Sequence, residues 1–148
     1  MKICNQKKRR MSLRPQPVEW HFFLPCGMKK IALGRAGEQA ALNYLQELGM
    51  TLVARNWRSE HYELDLVMDA GDSIRIVEVK SLNENDGFDP LENMTEAKCG
   101  KLILAARRFI AENPTDKEIF FDVVSVLFCG ADCTRITYIP SAFFPIKK

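Results

Sequence analysis

Four charged residues, Glu63, Asp65, Glu78 and Lys80, stand in two stretches that are otherwise apolar or alternating, YELDLVM and IRIVEVK. A half-buried sheet favours apolar side chains at such positions, so charge there needs a partner. Two carboxylates converging on one point repel unless a cation lies between them, and their hard oxygens suit Mg²⁺ or Mn²⁺. Lys80, two residues after Glu78, brings a compact positive charge to the same side. A metal held by Asp65, Glu78 and the backbone carbonyl of Val79 would polarise a phosphodiester and acidify a water. Lys80 would orient or help deprotonate that water. The chemistry is metal-dependent phosphodiester hydrolysis. An E-x-K triplet also arises often by chance, and the same side chains suit a solvated edge strand or a cross-strand ion pair with Asp65 or Glu63.

The elements that must position these groups are two neighbouring strands. Tyr62 to Met68 alternates, which predicts Leu64, Leu66 and Met68 on one face and Glu63, Asp65 and Val67 on the other. Ile74 to Lys80 follows a turn at Asp69 to Asp72. Centred between Ala70 and Gly71, that turn sets Asp65 opposite Ile76 and Glu63 opposite Glu78, with all four charges on one face. Asp65 and Glu78 are then diagonal neighbours, roughly 7–8 Å apart at the backbone. A one-residue slip would scatter them.

Around this pair, apolar spacing predicts a helix over 33–48 stopped by Gly49, and a first strand over 51–57. Residues 81–94 read as a loop. A second helix, capped by Thr95, runs to Glu112 with Ala97, Leu102, Ala105, Ala106, Phe109 and Ile110 as its buried side. A dense strand over 119–128 and an edge strand over 135–139 complete the order α-β-β-β-α-β-β. Asp122, inside FFDVVSV, is expected to orient or cap something local, and Trp57 to belong to the core rather than to stack on a base.

The chain has 148 residues, 47% apolar and 27% charged, with no apolar run of membrane-spanning length. This suits a single cytoplasmic domain over 31–148, with no membrane partner. Residues 1–30 carry eight Lys or Arg against one acid and read as a basic tail, either a nucleic-acid-binding arm or a gene-start extension before Met28. The remainder holds thirteen basic residues against eighteen acidic ones, so it cannot hold nucleic acid by bulk charge. A local rim would have to do so, from Lys98 and Lys101 one helical turn apart and from Arg55 and Arg58 beside Trp57. Five scattered cysteines and two histidines lack zinc-site spacing and read as reduced thiols, although Cys129 and Cys133 could meet across a turn.

The blocks GRAGEQAALNYLQELG, ARNWRSEHYELDLVM, IRIVEVK, TEAKCGKLILAARRF and FFDVVSV resemble the YraN-like bacterial family of the PD-(D/E)XK nuclease superfamily, over about Leu33 to Phe144. The resemblance implies an α/β, restriction-endonuclease-like three-layer core, a mixed central sheet flanked by helices, related to archaeal Holliday-junction resolvases. It makes Asp65 the central metal ligand, Glu78 and Lys80 the E-x-K of the superfamily, and Glu38 an accessory acid reaching the metal. Read from its own residues, Glu38 is a first-turn helix acid favoured by the macrodipole. The chain departs from the family at Tyr62, where a glycine is usual and a phenol would crowd the site. It departs again at Ser81 and Leu82, where a basic residue is usual. The implied activity is a Mg²⁺- or Mn²⁺-dependent endonuclease on DNA, branched or damaged DNA by analogy of fold. A nucleic-acid-binding module without effective turnover, and an adaptor whose sheet face makes a homodimer, are the other uses this frame allows.

Overall fold

The computed structural model describes residues 17–20, 30–83, 89, 91–129 and 133–144. Helix α1 (Lys30–Glu47) is followed by strands β2 (Thr51–Ser59), β3 (Tyr62–Asp69) and β4 (Ser73–Asn83), helix α2 (Glu96–Glu112), and strands β5 (Glu118–Cys129) and β6 (Cys133–Phe143). A short strand β1 (Pro17–Trp20) precedes them. Together the strands form one sheet in the order β1-β6-β5-β4-β3-β2. Among the described strands, only β4 and β5 pair in parallel, which requires the long crossover that α2 supplies.

Local chemistry accounts for the helix ends. Gly49, at φ 90°, ends α1 with its amide on the Gln46 carbonyl while Met50 reaches back to Leu45, the reciprocal pair that a left-handed glycine permits. Thr95 accepts from the Lys98 amide at 3.2 Å and caps α2 as the sequence predicts. Each helix covers one face of the sheet. Ala41 and Leu45 of α1 pack on Leu66, Met68, Val77 and Val124. Leu102, Ala106 and Phe109 of α2 pack on Leu64, Val67, Ile74 and Ile76. This is the three-layer α/β arrangement expected. Ala97, counted with the buried side of α2, is exposed because it lies in the first turn, before the helix meets the sheet.

Four further expectations are corrected. The β3–β4 turn is centred one residue later, on Gly71 and Asp72, with the Ala70 amide on the Ser73 carbonyl and Gly71 at φ 90°. Glycine at the first central position of a two-residue hairpin supplies the positive φ that turn needs. The register is therefore Leu66↔Val77 and Val67↔Ile76, two residues from the expected one. A two-residue shift keeps every side chain on its face, and continuing it brings Asp65 to the level of Glu78 instead of Ile76. Second, β3 does not alternate throughout: Leu66 and Met68 face α1, but Leu64 joins Val67 on the α2 side. Third, Pro17–Trp20, within the stretch read as a tail, pairs with β6 from Pro17↔Thr137 to Trp20↔Thr134, so β6 is not an edge. Apart from Lys30, which opens α1, the rest of that stretch, including the KKRR cluster, lies outside the described residues. Strand β4 also runs past Lys80 to Asn83, into the predicted loop, because β5 stays beside it to Phe128.

Candidate active site

Strands β3 and β4 part company beyond Leu66↔Val77, and a cavity of about 310 Å³ opens there, near the carboxyl end of β4. The carboxyl ends of parallel strands are where open α/β sheets gather their ligand sites. Leu33, Gly34 and Glu38 of α1, Asp65 of β3, and Glu78, Val79, Ser81 and Asn83 of β4 line it. Helix α1 reaches the cavity because Gly37 has no side chain, since a Cβ there would meet Ser81 Oγ at 1.8 Å. The neighbouring Glu38 is thereby brought to the cavity wall. Glu38 sits in the third turn of α1, so the first-turn macrodipole reading does not apply to it.

Each carboxylate is held differently. Asp65 takes the Val79 amide on Oδ2 at 2.8 Å, a backbone donor left free by the parting strands. Burial, then the negative charges of Glu78, Glu38 and Glu63, push its carboxyl up to about 7 against the pull of that amide. Glu78 is buried and receives two cations on Oε1, Lys80 at 3.1 Å and Lys98 at 2.5 Å. Burial and the neighbouring Lys98 hold the Lys80 amine below its usual range, with Glu78 opposing. Lys98 goes the other way: burial would lower it, but its bonds to Glu78 and Lys80 outweigh that. Glu38 accepts from Asn56 Nδ2 at 3.0 Å, with the Arg55 guanidinium 3.9 Å away.

The arrangement brings Asp65, Glu78, Val79 and Glu38 to one cavity and sets Lys80 on Glu78. Lys98, expected on an outer rim, reaches instead into the site from α2. Lys101 is exposed one turn further along that helix. Arg55 lies over α1 with 2.8 Å to Gln39 Oε1, and Arg58 pairs in solvent with Glu63 at 2.9 Å, so Glu63 does not enter the cavity. Tyr62 packs with the α2 cluster and its ring lies 4.6 Å from His61, away from the cavity lining, so the phenol does not crowd it. Trp57 packs partly buried against the α2 core, edge-on to Phe109 at 5.4 Å. Asn56 was not singled out by sequence reasoning; the available signal was an amide in a strand run, where asparagine is depleted.

Among the described residues, no three His, Cys, Asp or Glu side chains are assembled as a group that could hold a metal ion. The donors are nevertheless right in kind. Asp65, Glu78 and Glu38 offer hard oxygens to one cavity, and at Asp65 the Val79 amide works against the negative charge of its acidic neighbours. Carboxylate oxygens of this kind match the preference of Mg²⁺ or Mn²⁺ for hard donors.

The model of the uncharacterised protein family UPF0102 matches residues 37–126, a span that begins at Gly37 and contains Glu38, Asp65, Glu78, Lys80 and Lys98. The chain belongs to UPF0102. Similar UPF0102 proteins include one from Bacteroides fragilis, 35% identical over 113 residues, covering 76% of this chain and 93% of the relative. Another, from Ectopseudomonas mendocina, is 39% identical over 113 residues, covering 75% and 93%. A third, from Acidothermus cellulolyticus, is 36% identical over 123 residues, covering 76% and 93%. The YraN-like resemblance read from the sequence blocks is this family. The UPF0102 span runs from Gly37, within α1, through most of β5, takes in every cavity-lining residue except Leu33 and Gly34, and leaves out β1 and β6. Among the described residues, no helix of this UPF0102 protein is long and apolar enough to cross a membrane.

Proposed function

We propose that the protein is a cytoplasmic Mg²⁺- or Mn²⁺-dependent endonuclease that hydrolyses DNA phosphodiesters, with branched or damaged DNA as the substrate class. The observation that carries this reading is the meeting of Asp65, Glu78 and Glu38 in one cavity with Lys80 on Glu78. Asp65 and Glu78, with the Val79 carbonyl and Glu38, would hold the cation. The bound ion supplies Lewis acidity toward the phosphodiester and makes a water acidic near neutral pH. Lys80, with its amine held below the usual lysine range, is suited to accept a proton from that water and return it as the leaving oxygen departs. Lys98 offsets negative charge from the α2 side. Lys101 and the flanking arginines Arg55 and Arg58 are the proposed phosphate contacts outside the cavity.

A second reading has its own support. Glu78 Oε1 is already held by two lysines, and among the described residues no ready ligand group is assembled. A nuclease-fold module that binds nucleic acid without effective cleavage accounts for that. Incubation with supercoiled, single-stranded and four-way-junction DNA, in Mg²⁺, Mn²⁺ or EDTA, separates the two. Metal-dependent cleavage that disappears in both Asp65→Ala and Lys80→Ala supports the enzyme. Retention of DNA without cutting supports the module. Cutting that persists in both variants removes the site from consideration.

A further inference from the structure

Strands β2 and β3 hold the same register on either side of the site, Arg55↔Leu66 and Trp57↔Leu64, which places Asn56 level with Asp65 at a rung where the pairing is interrupted. In a regular ladder, residues two apart project to the same face. Here they do not. Arg55 reaches Gln39 on α1, whereas Trp57 packs edge-on against Phe109 of α2. On the facing strand Leu66 lies under α1 and Leu64 under α2. Both strands change face at the same rung, and at that rung Asn56 has φ 49°. Left-handed backbone is costly for most side chains, but asparagine tolerates it better than any residue except glycine. The step leaves Asp65 at the parting of β3 and β4, where its carboxylate takes the Val79 amide.

The Asn56 side chain acts at the same place. Its amide donates to Glu38 Oε2 at 3.0 Å, closer than the Arg55 guanidinium at 3.9 Å. A neutral donor orients a carboxylate without adding a charge of its own, and Glu38 lines the cavity it shares with Asp65 and Glu78.

We propose that Asn56 is a positioning residue for a divalent cation: its left-handed backbone turns Asp65 into the cavity and its amide holds Glu38 over it. This rests on the metal-dependent reading above. The test is Mn²⁺ binding, followed by loss of the free-ion electron paramagnetic resonance signal, with thermal unfolding measured alongside. Asn56→Gly keeps the backbone freedom and removes the amide. It is expected to unfold within about 3 °C of wild type while binding Mn²⁺ about tenfold more weakly. Asn56→Ala adds backbone strain and is expected to weaken binding further and lower the melting temperature. In a Glu38→Ala background, Asn56→Gly should have no additional effect, since its amide then has nothing to hold. Wild-type affinity in Asn56→Gly, or an undiminished effect of that change in the Glu38→Ala background, overturns the positioning role alone. A wild-type protein that binds Mn²⁺ no better than Asp65→Ala overturns the metal reading, and this inference with it.

Discussion

Asp65 and Asp122 are both aspartates drawn into the same sheet, and burial raises the proton affinity of both, yet their surroundings are opposite. Asp122 is fully buried and saturated: Arg75 reaches it at 3.3 Å, the Tyr138 hydroxyl donates at 2.7 Å and the Ser141 amide at 2.8 Å. Those three partners pull its carboxyl back toward ionisation, while burial first and then the Asp122 charge push the Tyr138 phenol up. Asp65 has one backbone amide and acidic neighbours. A carboxylate with a matched cation and a full set of donors ties strands together, here β4, β5 and β6. A carboxylate whose neighbours add negative charge is one that the proposed cation would complete.

The sharpest way to break that contrast is to delete each acid in turn. Asp65→Ala is expected to lower metal-dependent cleavage by about a thousandfold or more, with the melting temperature within about 5 °C of wild type. Asp122→Ala is expected to do the reverse. It strands Arg75 and Tyr138 in the core and costs about 3–5 kcal/mol of stability. At a temperature where the variant remains folded, cleavage should stay within about threefold of wild type. Denaturant unfolding and a plasmid-nicking assay read the two effects. Equal loss of stability in both variants would mean that Asp65 is structural as well.

The contrast also has a pH dependence. A carboxyl raised to about 7 in the folded state and near its ordinary value in the unfolded chain binds its proton more tightly when folded. Its contribution to stability is therefore complete below the unfolded value and disappears as pH rises through about 7. Without metal, the melting temperature should fall by about 5 °C more between pH 6 and 8 in wild type than in Asp65→Asn. Metal binding runs opposite, because the ligand must be ionised, so Mn²⁺ affinity should rise about tenfold from pH 6 to 8. Parallel pH profiles for wild type and Asp65→Asn would refute the raised value.

What could be read from sequence divides along the same line. Thr95 as a cap, Gly49 as a stop and the α2 face carrying Leu102, Ala105, Ala106, Phe109 and Ile110 depend on neighbours within a few residues, and all were legible. Asp65, Glu78 and Lys80 were legible as charges out of place in strands. The register was missed by two residues because it hangs on which pair of turn residues closes the hairpin, and Gly71 at positive φ decided that. Lys98 is eighteen positions from Lys80, and its reach to Glu78 depends on how α2 docks across the sheet. The pairing of β1 with β6 joins residues more than a hundred positions apart, which no local pattern encodes.

A smaller effect tests the site's lysines against each other. Lys80 and Lys98 share one oxygen of Glu78, but only Lys80 comes from the strand that carries the carboxylate. Lys80→Met should abolish cleavage across the pH range. Lys98→Met leaves the proposed proton acceptor in place, removes the positive neighbour that depresses it, and should lower cleavage only about tenfold while moving the pH optimum upward. An unshifted optimum in Lys98→Met would confine that lysine to charge balance.

The smallest expected effects lie outside the cavity, where Arg58 and Lys101 differ in a useful way. Arg58 is exposed and already paired with Glu63 in solvent, an arrangement typically contributing about 0.2–1 kcal/mol. Lys101 is exposed on the same helix as Lys98, one turn on. If Lys101 touches phosphate, Lys101→Ala should weaken DNA binding uniformly across sequences and reduce the slope of log affinity against log salt by about one. Arg58→Ala should reduce it less, because Glu63 competes with phosphate for the guanidinium, and Glu63→Gln should strengthen binding by releasing it. Fluorescence anisotropy between 50 and 200 mM salt resolves differences of that size. Equal slopes in all three variants would move the nucleic-acid path away from this side of the sheet.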